Sequence, residues 1–296
     1  MNPNYIDIDS LEDPRLAPFR NLRERTLRGE SLFIAEGHLV AQRLLNSRFP
    51  TESVLLSREV REFLPSGFFG DIPGDVPVYT LPGREMLAHT AGFPFHQGIL
   101  AAGRRLPLPD FPEAVREHKG SGIWVVLPNA SKPDNLGLAF RSAAALGAAG
   151  VVLGERCCDP FSRRALRVSM GGVLQLPVIQ AKNLHAELRE VMAPETRLPG
   201  GEPPVETYGT VLADDAVILS EIGKVPRRAA ILFGNEYDGL DGESAALCRR
   251  KVTIPMAPGV DSLNLGVSVG IFLYEFLLRQ RQEDGADSGN KGGAPA

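Results

Sequence analysis

Two continuous apolar runs, GIWVVLP (122–128) and GVVLG (150–154), flank one helical stretch, LGLAFRSAAAL (136–146). A strand that is apolar at every position must be covered on both faces, as in a parallel sheet packed between helices. Strand, helix and strand within about thirty residues is the size of a βαβ unit. The pattern continues downstream. VLQLPVIQ (173–180), GTVLADD (209–215), AAILFG (229–234) and KVTIPM (251–256) read as strands. LHAELREVMA (184–193), ESAALCRR (243–250) and SLNLGVSVGIFLYEFLLRQRQ (262–282) read as helices. The predicted class is α/β, with a mostly parallel sheet and helices on both faces.

Upstream lies a smaller α/β unit. Residues 15–28 and HLVAQRLLNS (38–47) read as helices, and LFIAEG (32–37), SVLLS (53–57), VPVYTL (76–81) and QGILAAG (97–103) as strands. Prolines and charges mix in LPLPDFPEAVREHKGSG (106–122), which reads as a connector. The expected organisation is an N-terminal domain over 1–107, a linker over 108–120, a second domain over 121–282 and a disordered tail over 283–296.

Composition excludes several classes. Hydrophobic residues make up 43% and charged residues 23%, as in a soluble globular protein. The acidic start MNPNYIDIDSLEDP lacks the apolar core of a secretory signal. The run GVSVGIFLYEFLL contains Glu275 and is too short to span a bilayer. Cys157, Cys158 and Cys248 form no CxxC, so free thiols in a reducing compartment, and hence a cytoplasmic location, are expected. No metal is expected, since none of His38, His89, His96, His118 and His185 pairs with another at ligand spacing. The net charge of −4 argues against indiscriminate nucleic-acid binding. Local clusters matter more: Arg15, Arg20, Arg23, Arg25 and Arg28 in one segment, and Arg163, Arg164 and Arg167 in another. Each is a candidate phosphate-contacting patch, with a solvated helix face as the bland alternative.

Ligands of open parallel sheets bind beyond the carboxyl ends of the strands. Three strand-end loops, PNASKPDNLG (128–137), GNEYDGL (234–240) and APGVDSLN (257–264), are rich in Gly, Asn, Asp and Ser. One such loop is an ordinary turn; three in one domain suggest a binding cleft. Neither a GxxxxGK[ST] loop nor a GxGxxG turn is present. A cofactor held by backbone and amide contacts, without a pyrophosphate, fits better. Arg141 stands out because its helix is apolar nearly all round. Such a helix belongs in an interior, where an unpaired guanidinium is costly, so a bound anion or an internal salt bridge to Glu236 is expected.

Taken together, KPDNLGLAFRSAAALG, ILFGNEYDGL and IPMAPGVDSLNLGVSVGIFLYE resemble, in order and spacing, the three motifs of the SpoU/TrmH family of RNA ribose 2′-O-methyltransferases, in the SPOUT superfamily. RRALRVSMGGVLQLP is similar to a further family segment, and residues 13–104 resemble the small substrate-binding domain of many members. The resemblance implies a C-terminal trefoil knot, a homodimer with its site at the subunit boundary, S-adenosylmethionine as donor, and structured RNA, ribosomal rather than transfer RNA, as substrate. It implies catalytic roles for Asn135, Arg141, Glu236 and Asn264, with Asn135 capping its helix. It places the donor on Gly234, Asn235, Gly239, Leu240, Ile254, Pro255, Met256, Ser262, Leu263 and Asn264. RNA phosphates would fall to the two arginine clusters.

A guanidinium stays protonated in neutral solution, so Arg141 would stabilise developing alkoxide charge and grip a phosphate. Three positions depart from the family pattern: Lys132 for an acid, Tyr237 for a glycine and Gly266 for a serine. If the tyrosine position needs positive φ, Tyr237 fits it poorly. Rival readings are a catalytically inactive RNA-binding protein of the same fold, a base methyltransferase, and an unrelated enzyme on a small molecule.

Overall fold

The computed structural model describes residues 3–22, 29–70, 72–94, 97–194, 201, 203–213, 215–235, 237–260 and 262–289. The chain divides into two compact units, Met1–Pro107 with Asp159–Gln175, and Leu108–Cys158 with Leu176–Ala296.

In chain order the first unit contains β1 (Asn4–Asp7), β2 (Leu32–Glu36), α1 (His38–Leu45), β3 (Thr51–Ser57), α2 (Arg58–Phe63), β4 (Pro77–Leu81), α3 (Arg84–Ala91) and β5 (Ile99–Arg104). Its strands order as β1-β4-β3-β5-β2. The first three are parallel, and β5 is antiparallel to both β3 and β2. Leu16, Phe19, Ile34, Leu55, Leu87 and Leu100 belong to its core. The helix expected over 15–28 is a 3-10 helix, Pro14–Phe19, capped by Asp13, whose side chain accepts from Arg15 N. Pro18 within it has no N–H to donate, which disfavours a longer α-helix here. Residues 23–28 lie outside the described residues.

The second unit begins with α4 (Phe111–Glu117) in the stretch read as a linker. Asp110 caps that helix and Phe111 and Val115 bury their side chains, so the segment is part of the core. Then come β6 (Gly122–Leu127), α5 (Pro133–Leu146) and β7 (Gly150–Leu153), the βαβ unit of the sequence. The chain next returns to the first unit with α6 (Arg163–Val168), which packs on β2.

Back in the second unit are β8 (Val178–Gln180), α7 (Leu184–Met192), β9 (Glu206–Thr210), β10 (Val217–Ile218), β11 (Arg228–Leu232), α8 (Gly242–Ala246), β12 (Arg250–Thr253) and α9 (Leu265–Gly289). The strand expected over 173–180 shrinks to β8 because Pro177 cannot donate to a ladder; Val173 and Leu174 form a 3-10 turn instead. The helix α9 continues past the point where a tail was expected to begin.

The seven-stranded sheet has the order β10-β12-β9-β11-β6-β7-β8, with every pair parallel. Every residue of β6 and β11 is buried, as their apolar runs require. Trp124, Val126, Val152, Ala230 and Leu232 face α4 and α7 residues in one core cluster. The alternate residues point to the other face, which α5 and α9 cover. Among the described residues one arginine is wholly buried: Arg228, at the start of β11, donates to the carbonyls of Val115 (3.0 Å) in the last turn of α4 and of His118 (2.6 Å) and Gly120 (3.2 Å) just beyond it. Among the described residues no helix is long and apolar enough to cross a membrane, and no cluster of metal-binding side chains occurs.

All three cysteines are free. Burial pushes the Cys157 thiol up to about 11 and the Cys248 thiol up to about 12. Both remain protonated at pH 8, and a thiol is a poor nucleophile. Titration of the folded protein with a thiol reagent at pH 8 is expected to modify Cys158 first, with Cys157 and Cys248 reacting only on unfolding.

Candidate active site

The chain switches direction across the sheet at β6. From there it runs outward to β7 and β8, then returns on the other side with β9, β11 and β12. Ligand crevices of parallel sheets open at such switch points. A cavity of about 490 Å³ lies to one side of this point, beyond the carboxyl ends of β9, β11 and β12, and takes no wall residue from β6 or the loop after it. Its wall contains Gly234, Asn235, Gly239, Leu240, Ile254, Met256, Ser262 and Leu263 from the two loops that the sequence singled out. Pro255 and Asn264, also expected to hold the donor, are not in that wall.

The sequence missed a third contribution. Thr210 ends β9 and Val211 and Leu212 follow it, and Leu265, Ser268 and Phe272 come from the first turns of α9. The run GTVLADD was read wholly as strand, but β9 ends at Thr210, so Val211 and Leu212 belong to the crevice loop. The apolar residues beyond a strand end were the available clue.

The wall is mostly apolar, with hydroxyls and an amide from Thr210, Ser262, Ser268 and Asn235. It includes Asp238 but no Lys or Arg among the described residues. Such a lining suits an uncharged or cationic ligand of cofactor size and offers nothing to a pyrophosphate.

In the loop after β11 the described residues are tied together by hydrogen bonds. Asn235 and Gly239 exchange backbone hydrogen bonds of 3.1 Å in each direction. The Asn235 side-chain oxygen accepts from the amides of Tyr237 (2.8 Å) and Asp238 (2.7 Å). The positive φ falls at Gly239 (68°), and Tyr237 is not among the residues with positive φ. The suspected misfit of tyrosine therefore does not arise. Glu236 lies outside the described residues, so neither its catalytic role nor its expected pairing with Arg141 can be placed.

Side-chain bridges join the start of α5 to the other two loops. Asn264 donates from Nδ2 to Asn135 Oδ1 at 2.9 Å and accepts from the Gly266 amide at 2.9 Å. Lys132 Nζ donates to Tyr237 Oη at 2.9 Å. The expectation that Asn135 caps its helix is not met. The helix starts earlier, with Lys132 at the cap position and Pro133 first in the helix, because proline's fixed φ suits a first turn. Asn135 thereby turns its amide towards Asn264.

Gly266, read as a lost hydrogen bond, has a steric reason. A Cβ there would stand 2.4 Å from Leu138 Cβ and 3.0 Å from Leu138 C, where α5 and α9 touch. Its carbonyl accepts from Ser142 Oγ at 2.9 Å. Gly266→Ser is expected to destabilise the protein by about 1–3 kcal/mol, as overpacking does. Chemical denaturation checks this; an unchanged midpoint would show that the two helices can move apart freely.

Arg141 overturns the premise that drew attention to it. It is exposed, not buried, and has no ion-pair or hydrogen-bond partner among the described residues. The interior faces of α5 are supplied by Leu136, Ala139, Phe140 and Ala143, and the small alanines elsewhere made the helix look apolar all round. Arg141 stands six residues past Asn135, about 9 Å further along the helix axis, and it is not in the cavity wall.

The arginine clusters also change meaning. Arg15 pairs with Asp13 at 2.6 Å, and this contact holds the Asp13 carboxyl down to about 2. Arg20 donates to the carbonyls of Leu11 (2.6 Å) and Asp13 (3.0 Å). Arg163 donates to Leu22 O (2.6 Å) and Glu36 (2.9 Å), and Arg167 to the same Glu36 carboxylate (3.0 Å). Arg20 and Arg163 thus serve the fold of the first unit, because a carboxylate and carbonyls already occupy their donors. Arg15, Arg164 and Arg167 are exposed or partly so, and Arg23, Arg25 and Arg28 lie outside the described residues.

A family model described as the SpoU rRNA Methylase family matches residues 122–274. A Mycobacterium tuberculosis protein named as an uncharacterized tRNA/rRNA methyltransferase is 33% identical over 283 residues, which are 93% of this chain and 93% of its own. A 23S rRNA (guanosine-2′-O-)-methyltransferase of Acinetobacter baylyi is 31% identical over 67% of this chain and 77% of its own length. Among solved structures, an AdoMet-bound rRNA methyltransferase from Sinorhizobium meliloti superposes with a TM-score of 0.72 at 24% identity, covering 92% of this chain and 97% of that one. That likeness shows the shared fold.

Proposed function

The chain belongs to the SpoU rRNA methylase family, and from that premise we propose that it transfers a methyl group to a ribose 2′-hydroxyl of ribosomal RNA. It is an RNA methyltransferase whose donor is S-adenosylmethionine. The observation that carries the reading is the cavity beyond β9, β11 and β12, walled by the second and third motif loops and lacking any described cation. A sulfonium donor with no phosphate suits that wall. The ribose and ribosomal assignments are supported by the Acinetobacter relative, whose name specifies both.

When bound, S-adenosylmethionine supplies an electrophilic methyl on a positively charged sulfur. The chain's task is to align an oxygen with that methyl and to stabilise the charge which develops on the oxygen. Gly234, Asn235 and Gly239 give the cavity a fixed turn, and Ser262 and Leu263 close another side. The Asn135–Asn264 bridge holds the first and third motif loops in register. Arg141, permanently charged, would stabilise the developing alkoxide and grip the neighbouring phosphate with its forked donors.

Because Arg141 does not line the cavity of its own chain, its donor would sit in the cavity of a second copy. A homodimer is supported by α9, where Val267, Ile271, Tyr274 and Leu278 remain exposed at spacings of one helical face. Ile271→Glu is expected to convert the dimer to a monomer and to abolish transfer while donor binding persists. Sedimentation of both forms checks it, and an unchanged mass would remove this face from the interface. The knot and an RNA-binding role for the N-terminal unit belong to the same reading, and the resemblance of the three motifs and of residues 13–104 to the family supports them. Cytoplasmic location accords with it.

The test is transfer of labelled methyl to separate pools of unmodified ribosomal and transfer RNA, followed by alkaline hydrolysis. A 2′-O-methyl group blocks cleavage at its own phosphodiester, so label recovered in an alkali-resistant dinucleotide from the ribosomal pool is the expected result. Label in mononucleotides would mean base methylation. Label confined to transfer RNA would overturn the ribosomal assignment.

A further inference from the structure

Lys132 is outside the cavity wall and Tyr237 stands at its edge, and both residues sit at positions departing from the family pattern. Tyr237 is 78% exposed, at the rim of the cavity. Exposure alone is ordinary for a single surface aromatic, and Phe63 is as open; what sets Tyr237 apart is how it is held. The ring is not loosely attached. Its backbone amide is fixed by the Asn235 side chain, and the turn beneath is closed by the Asn235–Gly239 exchange. Lys132 holds the hydroxyl at 2.9 Å and stands 4.6 Å from the ring centroid. The result is a flat aromatic face, pre-set in orientation, beside an ammonium group and next to the cavity.

We propose that Lys132 and Tyr237 receive the target nucleotide: the base stacks on the Tyr237 ring and Lys132 takes the adjoining phosphate. Stacking needs a fixed π-face and tolerates any base, while an ammonium is a point charge for a phosphate oxygen. A base parked on the rim would hold its ribose over the mouth of the cavity, where the methyl is delivered. The cation–π contact would serve the apo protein by keeping the ring upright. This inference rests on RNA methylation as the reaction.

The experiment measures donor affinity by equilibrium dialysis, and KM for unmodified ribosomal RNA with its salt dependence, in wild type, Tyr237→Ala, Tyr237→Phe and Lys132→Ala. Tyr237→Ala is expected to raise KM for RNA about tenfold or more, the loss typical of one base–aromatic stack. Donor affinity should change by less than about threefold, because the exposed ring gives the cavity little wall. Tyr237→Phe should restore most of the KM, since the ring remains. Lys132→Ala should lower the slope of log affinity against log salt by about one, the value for one phosphate contact. An unchanged KM in Tyr237→Ala, or a loss of donor affinity equal to the loss for RNA, would overturn the platform while leaving the reaction intact. Failure of the wild type to label any RNA would overturn the reaction and the platform together.

Discussion

Arg141→Ala is expected to lower kcat for methyl transfer by at least about 100-fold with donor affinity unchanged. The magnitude is that of removing one pre-organised charge from a transition state that develops negative oxygen. The separation of the two readouts follows from geometry: Arg141 is exposed and outside the cavity wall. Its removal deletes no core packing, so the melting temperature should stay within about a degree or two of wild type. Arg141→Lys keeps the charge but not the forked donors, and should recover only a small part of the rate. Single-turnover transfer with saturating donor is the decisive measurement. A kcat within a few-fold of wild type for Arg141→Ala would remove it from the chemistry.

Gly234→Ala should raise the dissociation constant for S-adenosylmethionine by about 10- to 100-fold. A Cβ at this position would lie 2.2 Å from Gly239 C and 2.4 Å from Leu240 N. Both are backbone atoms and cannot rotate aside. The turn must therefore open, breaking the paired 3.1 Å hydrogen bonds between Asn235 and Gly239. Overpacking of this kind costs about 1–3 kcal/mol, and 1.4 kcal/mol corresponds to about tenfold in affinity. The loss should appear in donor binding because the strained atoms form the cavity wall. Calorimetric titration with the donor checks this. Full affinity in the alanine variant would mean that the cavity between the second and third motif loops is not the donor site.

Much of the fold was legible because parallel strands buried on both faces leave uninterrupted apolar runs. GIWVVL, GVVL and AAIL appear as β6, β7 and β11 within a residue or two. Shorter or mixed segments were not legible. NYID carries no strand pattern and becomes β1 through its pairing with β4. FPEAVRE looked like linker because of its proline and charges, yet a capping aspartate and two buried side chains make it α4. RRALRV looked like a basic patch of the second domain, and the chain instead delivers it to the first unit, where Glu36 accepts from both Arg163 and Arg167.

The site divides in the same way. The loops at the ends of β11 and β12 were visible because turn-forming residues after an apolar strand mark a crevice, and their residues meet in one cavity. The loop after β9 and the first turns of α9 were not, since Val211, Leu212 and Phe272 carry no chemistry until neighbours give them a wall to form.

The two arginines mark the boundary most sharply. By itself the sequence determined that the chain is α/β, that three ordered loops accompany a parallel sheet, and that Arg141 stands in the helix after the first of them. Which arginine is buried was decided only by tertiary structure. Arg141, among alanines and leucines, faces solvent because α5 packs through other positions. Arg228, unremarkable in sequence, is buried because the end of α4 brings three carbonyl oxygens within reach of its guanidinium. Burial of a charge depends on acceptors arriving from distant parts of the chain, and local composition does not encode where they arrive.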